Sequence, residues 1–150
     1  MFVGTYQHTI DDKGRLTLPA KWRSELAGGV VVTRGVDKCL YILPRSKFES
    51  MAKEIDEQGV ERADVRAWSR HFTGKASDVD ADKQGRIIIP PSLREFAELN
   101  GDVTVVGVVS RIEVWDPKKH KDADEKIELD VENVAERIGA MMRGADGKGK

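Results

Sequence analysis

Two stretches decide the fold: Asp11-Asp12-Lys13-Gly14-Arg15-Leu16-Thr17-Leu18-Pro19 and Asp82-Lys83-Gln84-Gly85-Arg86-Ile87-Ile88-Ile89-Pro90. Both have the form Asp-x-x-Gly-Arg, then a short apolar run, then proline, and they lie 71 residues apart. Two copies of one pattern at a fixed distance indicate an internal repeat. We therefore interpret the rest of the chain as two related units.

Each copy predicts the same local structure. The Asp side chain can cap a turn and the Gly can adopt positive φ, so Asp-x-x-Gly predicts a tight turn. The apolar run after it predicts a strand. The residue before proline is pushed towards extended backbone, and proline fits the first turn of a helix, so short helices are predicted over 19–26 and 90–99.

The remaining periodicity adds strands and amphipathic helices to each copy. Strands are predicted over 30–34, 40–43, 103–106 and 112–115, and helices over 48–55, 61–72 and 127–142. The expected class is α+β and β-rich. We predict repeat 1 with its following helices at 1–75 and repeat 2 with the C-terminal helix at 76–143. The composition of 144–150 predicts a disordered tail.

The composition limits the classes of protein to which this chain can belong. The 150 residues carry a net charge of −1, so any contact with nucleic acid has to come from a local basic patch. A single cysteine, Cys39, suits a reducing compartment. No apolar run is long enough to span a membrane, and the first residues lack the pattern of a signal peptide. These features predict a cytoplasmic protein without a membrane partner.

The sequence offers no catalytic or metal site. The histidines His8, His71 and His120 are scattered, and they form no metal-ligand spacing with Cys39. A glycine-rich phosphate loop and a nucleophile elbow are both missing from the sequence. We therefore expect no enzymatic activity, no metal and no cofactor.

The doubled motif resembles a known fold family. Two Asp-x-x-x-Arg turns, each followed by a strand, a proline and a short helix, resemble the AbrB-like swapped-hairpin regulators. The opening Phe2-Val3-Gly4-Thr5-Tyr6, the repeat distance and the chain length resemble the MraZ family over residues 1–143. The resemblance implies two tandem swapped-hairpin β units that form a pseudo-symmetric barrel with flanking helices.

The resemblance also implies a function. Members of the MraZ family are sequence-specific transcriptional regulators of the division and cell-wall gene cluster that encodes them. They form homo-oligomeric rings and bind short direct repeats in their own promoter, which implies double-stranded DNA as partner and association with the nucleoid.

Within each turn, different residue types are expected to have different roles. Arg15 and Arg86 are the expected DNA-reading residues, because a guanidinium matches guanine O6 and N7 or a phosphate in bidentate fashion. An internal salt bridge to the turn aspartate is the alternative role. The residues expected to build the turns are Asp11, Gly14, Asp82 and Gly85. The residues expected to contact phosphates are Lys13, Lys21, Arg23 and Lys83.

One alternative function stays open at this point. The repeats could drive assembly of a ring-forming structural or protein-interaction module that binds no specific DNA, and near-neutral net charge is compatible with that role. Salt dependence separates the two, because neutralisation of phosphates makes binding weaken steeply with salt.

Overall fold

The computed structural model describes the backbone of residues 1–148 and the side chains of residues 1–144. In chain order its strands and helices are β1 (Phe2–Thr9), β2 (Arg15–Thr17), β3 (Val30–Arg34), β4 (Leu40–Pro44), α1 (Arg45–Asp56), α2 (Ala63–Phe72), β5 (Ser77–Val79), β6 (Arg86–Ile88), α3 (Pro91–Ala97), β7 (Asp102–Val109), β8 (Arg111–Trp115) and α4 (Pro117–Lys148). The predicted α+β, β-rich class is confirmed. The first of two compact units is Met1–Pro117, and the second begins at Lys118.

Strands of both repeats share one antiparallel sheet. Its six strands follow the order β1-β7-β8-β4-β3-β5. The first strand of repeat 1, β1, pairs with β7 of repeat 2, and β5 of repeat 2 pairs with β3 of repeat 1. The predicted boundary at 75/76 therefore does not separate two bodies, because each repeat completes the sheet of the other.

The strands that follow the two Asp-x-x-Gly-Arg turns form a separate ribbon. β2 and β6 are antiparallel, and Leu16 pairs with Ile87, the residue at the same position of the other repeat. Two further backbone bonds extend the ribbon symmetrically: Leu18 N–H donates to the carbonyl of Gly85 and Ile89 N–H donates to that of Gly14, at 3.0 and 2.8 Å. We call this element the β2–β6 ribbon.

The predicted pseudo-symmetric barrel is not confirmed, because the described residues form no closed barrel. The large sheet is open, with β1 and β5 at its edges. The strands that could have closed it, β2 and β6, hydrogen-bond to each other instead, and only an isolated bridge between Ile10 and Leu16 links the ribbon to the end of β1.

The core lies between one face of the sheet and the ribbon with its short helices. From the sheet it receives alternate residues such as Val30, Val32, Ile112 and Val114, and from the 3₁₀ segment it receives Trp22. Alternation of this kind is what an antiparallel strand with one face on the core requires. On the other face of the sheet, α1 and α2 pack against β3 and β4.

Two predicted helices differ from the structure. The segment 19–26 is not an α-helix but two single 3₁₀ turns, Ala20–Trp22 and Ser24–Leu26. Hydrogen bonds from Trp22 N–H to Pro19 and from Leu26 N–H to Arg23 have i→i+3 spacing, which suits runs of one turn. The second helix ends at Ala97, because Glu98 adopts a left-handed conformation.

The second unit consists of α4. The helix carries a non-helical residue, Asp130, so that two helical stretches meet at a kink. It continues to Lys148, whereas the sequence predicts a disordered tail from Gly144. Adding residues to an existing helix costs less than starting one, which explains how a glycine-containing end can follow the helix. Positions 149 and 150 of the predicted tail lie outside the described residues.

Candidate nucleic-acid interface

The first turn is held by its aspartate. The backbone N–H groups of Lys13 and Arg15 donate to Oδ1 of Asp11 at 3.0 and 2.9 Å. Gly14 N–H donates to the Asp11 carbonyl at 2.9 Å, and Gly14 has a φ of +81°. The turn thus uses every short-range feature of the motif: a carboxylate that accepts backbone bonds and a glycine in left-handed conformation.

The arginine of the first turn is fixed by the same carboxylate. Arg15 Nε donates to Oδ2 of Asp11 at 2.6 Å, and the Arg15 side chain remains 32% exposed. Within residues 1–144 its two terminal nitrogens donate no hydrogen bond. Arg15 therefore forms the internal salt bridge, while its side chain remains partly exposed and keeps two terminal nitrogens for a partner. The two roles that the sequence left open for Arg15, DNA contact and an internal salt bridge, are therefore compatible.

The second turn has the same geometry. Gln84 and Arg86 donate backbone N–H groups to Oδ1 of Asp82, both at 2.9 Å, and Arg86 Nε donates to Oδ2 at 2.8 Å. Gly85 has a φ of +76°, and Arg86 is 32% exposed, like Arg15. The two turns differ in sequence at the middle positions, yet they hold their arginines in equivalent ways.

These hydrogen bonds favour the ionised form of both carboxyls. The pKa of Asp11 lies below its ordinary value chiefly because the backbone N–H of Arg15 donates to it, and the Arg15 side chain and Lys13 N–H act in the same direction. The pKa of Asp82 is lowered in the same way, first by the backbone of Arg86. Each arginine is therefore paired with a carboxylate at neutral pH.

Both arginines lie on one face of the β2–β6 ribbon. Leu16 and Ile87 point into the core and are fully buried, so the residues on either side of them face outward. Directly paired residues share a face, and the pairs are Arg15 with Ile88 and Thr17 with Arg86. We call the surface formed by Arg15, Thr17, Arg86 and Ile88 the ribbon face.

On the ribbon face the two arginines are diagonal neighbours. Diagonal positions of an antiparallel pair are about 7–8 Å apart, which corresponds to about two base-pair steps of B-DNA. The sequence could not establish whether the two turns address the same surface, because that depends on the pairing of β2 with β6. In the structure the two arginines are brought together.

The predicted phosphate-contacting lysines occupy different surroundings. Lys13 and Lys83 lie in the two turns, at opposite ends of the ribbon, and both are exposed. Lys21 lies on the first 3₁₀ turn with its Nζ 4.5 Å from the centre of the Tyr6 ring, a cation–π arrangement. Lys13 and Lys83 therefore flank the ribbon face, whereas Lys21 is also bound to an aromatic ring.

Arg23 bonds to the backbone after β2 and packs on the second turn. Its Nε and Nη2 donate to the carbonyl of Leu18 at 3.3 and 3.2 Å. Its guanidinium lies where a side chain on Gly85 would stand, so Arg23 of repeat 1 packs on the turn of repeat 2. The relation is reciprocal, because Arg94 Nε donates to the Ile89 carbonyl at 3.0 Å and its guanidinium lies against Gly14.

Three residues of this region escaped the sequence reasoning. Thr17 and Ile88 belong to the ribbon face, and the alternation around Leu16 and Ile87 was the signal that could have found them. Ile88 stands within Ile87-Ile88-Ile89, where a uniform apolar run hides the alternation. Arg94 lies 71 residues after Arg23 and is its counterpart in repeat 2, but its position on the opposite turn depends on the tertiary fold.

Other kinds of site receive no support from the described part of the chain. No group of three or more His, Cys, Asp or Glu side chains in it is placed to hold a metal ion. None of its helices combines the length and the apolar character that crossing a membrane requires.

Comparison with known proteins gives a consistent result. A family model described as "MraZ protein, putative antitoxin-like" matches residues 1–71 and again residues 72–140. A protein of Syntrophomonas wolfei named Transcriptional regulator MraZ is 39% identical over 138 residues, which cover 92% of this chain and 96% of the relative. Proteins of the same name from Salinispora tropica and Cutibacterium acnes are 49% and 46% identical, over 77% and 87% of this chain and 82% and 94% of their own lengths.

Proposed function

The chain belongs to the MraZ family, and we propose that it is a sequence-specific, DNA-binding transcriptional regulator that contacts the double helix with its ribbon face. The observation that carries this proposal is the placement of Arg15 and Arg86 on one face of a two-stranded ribbon, each held by a carboxylate. The major groove admits a two-stranded β-ribbon, and arginine is the commonest partner of guanine there.

The aspartates prepare the arginines for this role. A guanidinium whose Nε is already bonded to Asp11 or Asp82 loses less conformational freedom when it binds a base. The terminal nitrogens that remain can donate to guanine O6 and N7 in bidentate fashion. In this proposal Asp11, Gly14, Asp82 and Gly85 build the turns, and Arg15 and Arg86 read the bases.

Phosphate contacts are assigned to the lysines at the ends of the ribbon. Lys13 and Lys83 are exposed and flank the ribbon face, so they can reach the two backbones that border a groove. Lys21 lies on the first 3₁₀ turn, outside the ribbon strands, and contributes to the general positive field. Arg23 is reassigned from phosphate binding to support of the second turn, because its guanidinium is bonded to the Leu18 carbonyl.

The finer features implied by the family form part of the proposal. The exchange of β1 and β5 between repeats supports the swapped-hairpin description. We propose that the protein acts in the cytoplasm on the nucleoid, as a homo-oligomeric ring, on short direct repeats in the promoter of its own division and cell-wall gene cluster. A ring supports binding to repeats, because a second contact on the same DNA becomes intramolecular and can raise avidity by about 10²–10⁴.

The test compares arginine variants on one promoter fragment. Binding is measured by fluorescence anisotropy with a duplex from the region upstream of the protein's own coding sequence and with a scrambled duplex of equal length. Arg15→Ala and Arg86→Ala are expected to weaken binding to the promoter duplex by about 1–3 kcal/mol each and to relax base preference. Arg62→Ala is the matched control, because Arg62 also pairs with a nearby aspartate, Asp64, but directly precedes α2, outside the ribbon.

Two outcomes would reject the proposal. If wild type binds the promoter duplex and the scrambled duplex equally, the protein is not sequence-specific. If Arg15→Ala and Arg86→Ala bind the promoter duplex as tightly as Arg62→Ala does, the ribbon face is not the surface that reads the bases. Shortening the promoter duplex to one repeat tests the ring separately, since avidity predicts a large loss of affinity.

A ring-forming interaction module without specific DNA binding is the second candidate. It is favoured by the net charge of −1 and by exposed apolar side chains on α4, among them Leu129 at 90% and Met141 at 68% exposure. Such side chains suit protein partners. Titrations at several salt concentrations distinguish the candidates, because log K for DNA falls with log salt by about 0.9 per phosphate contacted.

A further inference from the structure

One apolar residue of the ribbon face has no structural reason to be apolar. Ile88 is 56% exposed, whereas Ile87 and Ile89 on either side of it are fully buried. In a strand with one face on the core, the solvent-facing position is normally polar. Ile88 contributes little to the core, so its apolar surface is available to a partner of the ribbon face.

Thr17 occupies the corresponding position in the other strand. Because Arg15 pairs with Ile88 and Arg86 pairs with Thr17, a half turn about the centre of the ribbon exchanges the two arginines. The same half turn brings the position of Thr17 onto the position of Ile88. The arginines alone would therefore address a symmetric DNA sequence, and the difference between Thr17 and Ile88 is what breaks the symmetry of the face.

We propose that Ile88 gives the ribbon face a direction on DNA by packing on the 5-methyl group of a thymine beside the base pair that Arg15 contacts. This inference rests on the proposed function and specifies which residues set its base preference. The thymine methyl is the apolar group that the major groove offers. Against any other base edge, isoleucine would cover polar atoms without bonding them, which is costly.

Thr17 plays the complementary part next to Arg86. Its hydroxyl can donate to or accept from several base edges, so this end of the ribbon face tolerates more sequences. A face with one methyl-specific end and one polar end binds in one orientation. Sites that recur head to tail then suit an assembly of identical subunits better than a palindrome does.

The experiment removes the methyl groups from the DNA and leaves its base pairing intact. The promoter duplex is synthesised once with thymidine and once with deoxyuridine at every thymine, and both are titrated by fluorescence anisotropy. Wild type is expected to bind the deoxyuridine duplex about fourfold more weakly, the factor that burial of one methylene-sized group brings. Ile88→Ser, which leaves no methyl group at this position, is expected to bind the two duplexes equally.

Two further variants complete the design. Val3→Ser is the matched control, because Val3 is a β-branched residue of β1 with 57% exposure outside the ribbon; it is expected to keep the wild-type ratio. In the double variant Thr17→Ile/Ile88→Ser, the preference for the thymidine duplex should return. Replacing thymines one at a time should show that the sensitive position has moved to the other side of the site.

The outcomes separate this inference from the proposed function. If wild type prefers the promoter duplex over the scrambled one but binds the thymidine and deoxyuridine forms equally, the directional role of Ile88 is wrong and the proposed function stands. The same conclusion follows if Ile88→Ser keeps the wild-type ratio. If wild type shows no preference for the promoter duplex, both fail together. Because Ile88 is exposed, circular dichroism is expected to show an unchanged fold.

Discussion

Leu16 of repeat 1 pairs directly with Ile87 of repeat 2, the residue that holds the same position in the other copy of the motif. Both side chains are fully buried. The centre of the β2–β6 ribbon is thus also the point at which the two repeats are related by a half turn. Stability of the fold and presentation of the arginines depend on the same few residues.

Truncation at this point should destabilise the whole first unit. We expect Leu16→Ala and Ile87→Ala each to lower the free energy of unfolding by about 2–5 kcal/mol, because each leaves a cavity in the core shared by both repeats. Urea titration at fixed protein concentration measures the change. The exposed neighbour Thr17→Ala should cost about 0.5 kcal/mol or less. Equal costs at positions 16 and 17 would contradict the assignment of inward and outward faces.

Glycine at position 85 is required by backbone conformation and by Arg23. At a φ of +76° an alanine is strained by about 1–2 kcal/mol, and its Cβ would also displace the Arg23 guanidinium. We expect Gly85→Ala to lower the melting temperature measurably.

Two comparisons sharpen this prediction. Gly28→Ala should have little effect, since nothing lies within 4 Å of a Cβ there. In an Arg23→Ala background the clash is absent and only the backbone strain remains, so Gly85→Ala should cost less there than in wild type, but still something. A Gly85→Ala protein as stable as Gly28→Ala would rule out the left-handed turn.

The two turn carboxyls predict a loss of stability in acid. The pKa of Asp11 and that of Asp82 are lower in the fold than the ordinary 3.8, first because backbone N–H groups donate to them. A carboxyl of this kind stabilises the fold above its unfolded pKa, and the contribution is lost as pH falls through the folded pKa. We therefore expect stability to decline below about pH 4.

Substitution of both aspartates shows how much of the loss of stability in acid comes from their carboxyls. Asp11→Asn/Asp82→Asn should be less stable than wild type at pH 7 and should lose less on acidification, as followed by thermal unfolding between pH 7 and pH 2.5. Asp12→Asn, in the same turn, is the control. A double variant with the full wild-type acid response would show that other groups cause the decline.

Salt dependence should distinguish Lys13 and Lys83 from Arg23. Each exposed lysine that contacts a phosphate contributes about 0.9 to the slope of log K against log salt, so Lys13→Ala and Lys83→Ala should each reduce the slope by that amount. Base preference should be unchanged.

Arg23→Ala should act on stability instead. Its guanidinium bonds the Leu18 carbonyl and packs on the second turn, and loss of such a partly exposed hydrogen bond costs about 0.5–1.5 kcal/mol. Anisotropy titrations and urea unfolding of the same variant test both statements. If Arg23→Ala reduced the salt slope and left stability unchanged, phosphate contact would be its role after all.

The sequence by itself determined the local elements. The Asp-x-x-Gly-Arg pattern predicted both turns, the alternation and β-branched runs predicted strands such as β3 within a residue or two, and the doubling predicted two related units. These features depend on backbone preferences of a few neighbouring residues, such as positive φ at Gly14 and Gly85. Such preferences act wherever the residues are placed in space.

Only the tertiary structure decided how the repeats combine. The pairing of Leu16 with Ile87 puts Arg15 and Arg86 on one face, and it leaves the sheet open where a barrel was predicted. Arg23 and Arg94 cross to the turns of the opposite repeats. These arrangements depend on which strand of one repeat meets which strand of the other, and burial of a shared core fixes that choice. No local pattern in a single repeat contains that information.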